Sequence, residues 1–318
     1  MSTKSNKRLK FGLLLILVLQ TTGCVLLLRY SRHRTKDSSK NYLVSTTVVS
    51  SEIIKVLTSL IVLLAQTGSL MSCMRLLYKE MILNRQESLK SAVPALSYTV
   101  QNNLLFVALS HLDSVTYQVT YQLKILVTAI FSVLMLNKRL SLLQWVSLIM
   151  LMAGVVAIQL HDPSAQTKSS ERQNDLIGLI CVLISCFLSG FTGVYFEKIL
   201  KKGDQSLWIR NFQLSFISSI IALINALVQD HSTISSLGFF HGYDYLTWTV
   251  ISIHAFGGFI VAFVMKYADN ILKGFATSIS IVISTLISFY LLDDFTPQPY
   301  FIYGAPMVLA AVILYGYK

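Results

Sequence analysis

Few ionisable side chains interrupt the apolar runs of this 318-residue chain, and those few carry its chemistry. Lys124 stands inside the run 116–135, preceded by Tyr117 and Tyr121. Spacings of four and three stack two phenols and an ammonium along one face of a helix. An ionised group at the bilayer centre costs at least about 2.5 to 3.5 kcal/mol, so such a face turns to the protein interior or to a water-filled cavity. The competing reading is a lysine snorkelling to the interface; about eight residues of the run precede Lys124 and about eleven follow, which counts against it. Lys273 precedes Gly274 near the start of another run. There the N–H groups and positive dipole end of a helix favour an anion, and a phosphate would suit the place. An ordinary cytoplasmic lysine would look the same, but the parallel with Lys124 in the other half of the chain favours function. Two buried cations without surplus carboxylates imply a substrate that brings the negative charge, as a nucleotide diphosphate does.

Polar side chains elsewhere fit such a substrate. Tyr98 and Asn102, four apart, share a helix face, and a phenol and an amide can hydrogen-bond the edges of a base. For Gln101 and Asn103 two readings stand side by side, substrate contact and interhelical amide glue. Glu52 and Lys55, three apart, either neutralise one another within a helix or meet a polar substrate. Arg210, Asn211 and Gln213 open a further run.

These residues need a membrane-spanning scaffold to hold them. The chain is 54% hydrophobic and 13% charged, with a mean hydropathy of +0.62; soluble domains carry about a quarter of their residues as charges. Apolar runs fall at 11–28, 42–65, 89–109, 116–135, 144–160, 176–195, 207–228, 245–265, 271–291 and 300–317. At about 20 residues per crossing, ten spans leave no room for a large aqueous domain. The first run follows Lys4, Lys7, Arg8 and Lys10, but it is longer than a signal-peptide core and lacks an A-x-A site, so it reads as a retained span. Lys and Arg outside the spans concentrate on the face carrying both termini, which makes that face cytoplasmic. The first connection, with Arg29, Arg32, Arg34, Lys36 and Lys40, runs against that bias. Cys24, Cys73, Cys181 and Cys186 show no metal or disulfide spacing and read as packing residues.

The fold expected is an all-α polytopic membrane protein, a single transporter domain of ten transmembrane helices. A shift of 156 residues lays Ser132 to Leu136 on Ser288 to Leu292, and Thr128 on Ser284. Halves at about 11–160 and 176–317 with five spans each enter the membrane with opposite polarity, an inverted five-helix repeat of the kind secondary transporters use. A duplication kept only for structure is the alternative. An intramembrane diphosphate-binding enzyme would need clustered aspartates for magnesium; the one adjacent acidic pair, Asp293 and Asp294, lies at a connection. No metal or other cofactor is called for. Nucleic-acid binding is excluded because the positive charge, net +11, is shared among short loops.

Several strings carry a resemblance. YTVQNNLL (98–105), TYQVTYQLKI (116–125), VYFEKIL (194–200), SLWIRNFQ (206–213) and KYADNILKGFATS (266–278) closely resemble the Golgi nucleotide-sugar transporters, the group carrying UDP-galactose, UDP-N-acetylglucosamine and CMP-sialic acid. The likeness covers almost the whole chain. It implies exchange of a cytosolic nucleotide sugar for lumenal nucleoside monophosphate without ATP hydrolysis, with homodimers plausible in the family. Carried onto this sequence, it implies pocket residues Tyr98, Asn102, Tyr117, Lys124, Asn211 and Lys273, with Ser189 beside them; Tyr121, Glu52 and Lys55 join from the residue reading. The wording of 271–278 is similar to the UDP-sugar branch. Gln20 to Thr22, Arg29 to Arg32, Val194 to Glu197 and Leu314 to Tyr317 are most similar to the UDP-N-acetylglucosamine transporters, with UMP as the counter-substrate.

Overall fold

The computed structural model describes residues 2–34, 42–112, 114–159, 175–291 and 299–317, and among these the chain is helical with no strand. Lys36, Lys40, Asp293 and Asp294 lie outside the described residues. The helices are α1 (Ser2–Arg34), α2 (Val44–Thr67), α3 (Leu70–Tyr78) with a π-turn after it (Lys79–Leu83), α4 (Arg85–His111), α5 (Ser114–Tyr121), α6 (Lys124–Leu136) and α7 (Leu142–Gln159). They continue with α8 (Asp175–Lys202), α9 (Leu207–Gln229), α10 (His231–Leu237), α11 (Tyr245–Tyr267), α12 (Asn270–Leu291) and α13 (Pro299–Gly316).

Large apolar side chains cover the outsides of these helices: Phe106, Leu134 and Ile313 are 73%, 67% and 71% exposed, while Ser59, Ser132 and Gln213 are buried. Water would drive the reverse arrangement. A hydrocarbon solvent permits it, because every helix satisfies its own backbone. Eight stretches among the described residues are long and apolar enough to cross a bilayer, and Tyr300–Gly316 is apolar but shorter. A count of ten adds this last stretch and α4, whose polar middle (Tyr98, Gln101, Asn102, Asn103) lowers its hydropathy.

The helices gather into two units. One comprises Met1–Thr99 and Ile199–Ala268, the other Val100–Lys198 and Asp269–Lys318. In the first unit α2 packs along α9, and α1 along α11. Local sequence sets the helix starts: Ser206 accepts the Ile209 N–H at α9, and Asp244 with Thr247 forms a reciprocal capping box at α11. Gln20 Nε2 donates to the Ile253 carbonyl at 3.1 Å, tying α1 to α11. At the start of α9, the buried Arg210 donates to the Glu87 carboxylate and, at 2.9 Å, to the Glu87 carbonyl, so it is a structural clamp on α4.

In the second unit α7 and α13 form the tightest crossing. A Cβ built on Gly304 would lie 2.8 Å from the Gly154 carbonyl oxygen and 2.9 Å from the Ile158 nitrogen, both backbone atoms that cannot swing away. Small residues at such crossings let helix backbones approach where no water drives them together. Leu148, Leu151, Val155, Val308 and Ala311 fill the rest of this core with Ile271 and Phe275 of α12. Gly304→Val is therefore expected to force α7 and α13 apart and lower the melting temperature of the detergent-purified protein. Melting at the wild-type temperature would show that the crossing contributes nothing to stability.

Candidate functional site

The run 116–135 does not form the continuous helix expected from sequence. It breaks at Gln122 and Leu123, between α5 and α6, directly before Lys124. Around the break the backbone tightens to i→i+3 bonds: Gln122 N–H to Val119 at 3.2 Å, Leu123 N–H to Thr120 at 3.1 Å and Ile125 N–H to Gln122 at 3.0 Å. Side chains hold it there. Gln122 Nε2 donates to Gln159 Oε1 of α7 at 2.7 Å, and the Cys186 thiol of α8 lies 3.5 Å from the carbonyl oxygens of both Thr120 and Tyr121. A thiol is a weak donor, but it meets carbonyls that a regular helix would have used itself. Cys186 is thus more than the packing residue that its sequence context suggests.

Despite the break, the expected face assembles. The rings of Tyr117 and Tyr121 stack with centroids 5.9 Å apart, and Lys124 Nζ sits 3.8 Å from the Tyr121 ring centroid. That is cation–π geometry, strongest where water is scarce. The Tyr121 hydroxyl accepts from Gln101 Nε2 at 3.1 Å and bonds to Ser189 of α8. Two protein partners thus engage the Tyr121 hydroxyl, while its ring faces the Lys124 ammonium. Gln101 follows the interhelical glue reading, and Asn102 and Asn103 are exposed on α4.

Lys273 lies in the first turn of α12, which packs on α6 in the same unit. The helix N-terminus beneath it is not open to an anion, contrary to the sequence expectation. Glu197 Oε2 accepts the Asn270 N–H at 2.8 Å and Asp269 Oδ1 accepts the Leu272 N–H at 2.7 Å. The protein's own carboxylates thus take two of the N–H groups at which a phosphate was expected. Lys138 joins this cluster, 3.0 Å from Glu197 and 3.5 Å from Asp269. Lys124 and Lys273 are within electrostatic reach of one another. Among the described residues neither forms a salt bridge.

The remaining sequence candidates belong to the first unit. Glu52 and Lys55 pair with each other at 2.6 Å, and the Lys55 stem lies against Gly258 of α11, which agrees with the internal-pair reading. Asn211 is buried, and its amide donates to the Leu207 carbonyl of its own helix at 2.9 Å. Tyr98 is half-buried on α4. Sequence reasoning missed Glu197, Lys138 and Asp269 as a cluster. They are 59 to 131 positions apart in the chain; the VYFEKIL string contains Glu197 and the KYADNILKGFATS string contains Asp269, but nothing in the sequence joins either to Lys138. No group of His, Cys, Asp and Glu among the described residues could hold a metal ion.

Residues 5–316 match a family model described as nucleotide-sugar transporter. A UDP-N-acetylglucosamine transporter of Rattus norvegicus is 51% identical over 315 residues, 98% of this chain and 96% of the relative. A UDP-galactose translocator of Mus musculus is 45% identical over 316 residues, 99% of this chain and 80% of the relative. A solved crystal structure covers 98% of this chain, and is itself covered to 97%, with a TM-score of 0.65 at 14% identity, a likeness of fold alone.

Proposed function

Because this chain belongs to the nucleotide-sugar transporter family, whose named members here are carriers and not enzymes, we propose that it exchanges cytosolic UDP-N-acetylglucosamine for lumenal UMP by alternating access. The proposed setting is the Golgi membrane, with both termini cytosolic. The observation that carries the substrate reading is near full-length identity of 51% with a UDP-N-acetylglucosamine transporter. A UDP-galactose translocator at 45% makes a broader UDP-sugar range the second reading.

Ten spans in two inverted repeats account for the packing order. Numbering α1, α2, α4, α5 with α6, and α7 as spans one to five, and α8, α9, α11, α12 and α13 as their counterparts, the second spans pack together, as do the fourth and the fifth. Span one packs on the counterpart of span three through α1 and α11, and span three on the counterpart of span one through α4 and α8. A two-fold exchange of halves leaves that set of pairs unchanged, as rocking about a midplane site requires. In this reading Lys124 and Lys273 hold the phosphates. Tyr121 aims Lys124, with Tyr117 and Ser189 in the same unit, and the family resemblance adds Tyr98, Asn102 and Asn211 as proposed substrate contacts.

Purified protein in liposomes, offered a panel of radiolabelled nucleotide sugars, tests both parts. UDP-N-acetylglucosamine should accumulate ahead of UDP-galactose and CMP-sialic acid, and UMP preloaded inside should speed its entry. Fast uptake indifferent to preloading would replace exchange with uniport. Preference for UDP-galactose would overturn the substrate assignment.

A further inference from the structure

We infer that α3 and its π-turn lie along the bilayer surface as an in-plane helix that binds the headgroups of anionic phospholipid, an interaction separate from transport though resting on the membrane-carrier reading. α3 has nine residues, far below the roughly 20 needed to span. The left-handed C-cap at Gly68 (φ 69°), which suits glycine, ends α2 and frees α3 to leave its axis. The inner face of α3, Cys73 and Leu77, packs on Leu63 near the end of α2 and on Ile209 near the start of α9, with Trp208 beside them. That fixes α3 at the level where two spanning helices reach the interface, and Trp is a typical residue of that depth.

The outer face has no protein partner to match it. Leu70, Met71, Met74 and Tyr78 are 65%, 62%, 56% and 56% exposed, and Ile82 continues the stripe into the π-turn. Arg75 and Lys79, each one residue after a member of the stripe and so about 100° further round the helix, are exposed, and Arg85 follows. Bundle contacts, apolar stripe and basic edge thus succeed one another around the helix. This is the order of an interfacial helix whose apolar side enters the acyl boundary while cations meet phosphates. The nearby Glu80 carboxylate accepts from the Gln205 amide, and among the described residues it forms no salt bridge with Arg75, Lys79 or Arg85. Juxtamembrane cations are attracted to anionic leaflets within a Debye length of the surface.

Two measurements on the full-length protein in lipid nanodiscs test the inference, and neither requires transport. In the first, Met74→Cys and Lys79→Cys, each with Cys24→Ser, are treated with a water-soluble maleimide. Met74→Cys should label at least about tenfold more slowly than Lys79→Cys, as expected for acyl and headgroup sides of one interfacial helix. Equal fast labelling would place the stripe in water, and oxidation of Met74→Cys to an intermolecular disulfide would make a second copy the occupant; either overturns the inference. In the second, phosphatidylinositol added to phosphatidylcholine discs should raise the melting temperature of the wild type. The triple variant Arg75→Glu, Lys79→Glu, Arg85→Glu should lose that rise; an unchanged rise would overturn headgroup binding.

Discussion

Replacing either Lys124 or Lys273 by alanine is expected to weaken UDP-sugar and UMP binding about tenfold to a hundredfold while changing uridine binding much less. A charge-assisted hydrogen bond contributes roughly 1.5 to 3 kcal/mol, and 1.4 kcal/mol is a factor of ten in affinity. Both lysines belong to one unit, on helices that pack together, and neither has a salt-bridge partner among the described residues. Each therefore carries a charge that a bound phosphate would satisfy. Because both would act on the same diphosphate, the double variant should lose less than the sum of the two. Tyr98→Phe and Asn102→Ala should instead weaken uridine and UMP alike. Titration calorimetry on variants that melt normally makes the comparison. Equal loss of uridine and UMP in Lys124→Ala would remove this lysine from phosphate binding and leave it as the cation held by the Tyr121 ring.

What could be read from sequence follows from the range of the forces involved. Spacing fixed the shared face of Tyr117, Tyr121 and Lys124, because helical periodicity is local and survives even a break of two residues. The break itself was not legible: neither Gly nor Pro marks residues 119–124, and the tightened turn depends on Gln159 and Cys186, residues distant in the chain. The same holds for Asn211, whose amide turned back on its own helix, and for the α12 N-terminus, filled by Glu197 from another helix. Hydropathy found α4 as an apolar run but could not say which of its polar residues would face protein. Packing put Gln101 inside and left Asn102 and Asn103 exposed.

Glu197→Ala is expected to be the most destabilising single change in the second unit. The carboxylate is fully buried, receives the Asn270 N–H on one oxygen and faces Lys138 with the other. Removing one member of a buried pair costs about 3 to 5 kcal/mol, because the partner is left without compensation. Lys138 keeps Asp269 at 3.5 Å and, being 23% exposed, can recover some hydration, and both point to the lower end. The orphaned Asn270 N–H adds to the loss, since it opens α12 and has no other acceptor assigned. Glu197→Gln keeps an acceptor for that N–H and should lose less than the alanine variant. Lys273 stands three residues beyond Asn270, so a loosened helix start would also misplace its ammonium. The glutamine variant, if it stays folded, should bind UMP more weakly than wild type while binding uridine nearly as well. Thermal melting with bound lipid held constant checks the first part, and calorimetry checks the second. If the alanine and glutamine variants both melt at the wild-type temperature, the cluster does not hold α12 in place, and the position of Lys273 has to be credited to its apolar packing against α6 and α13.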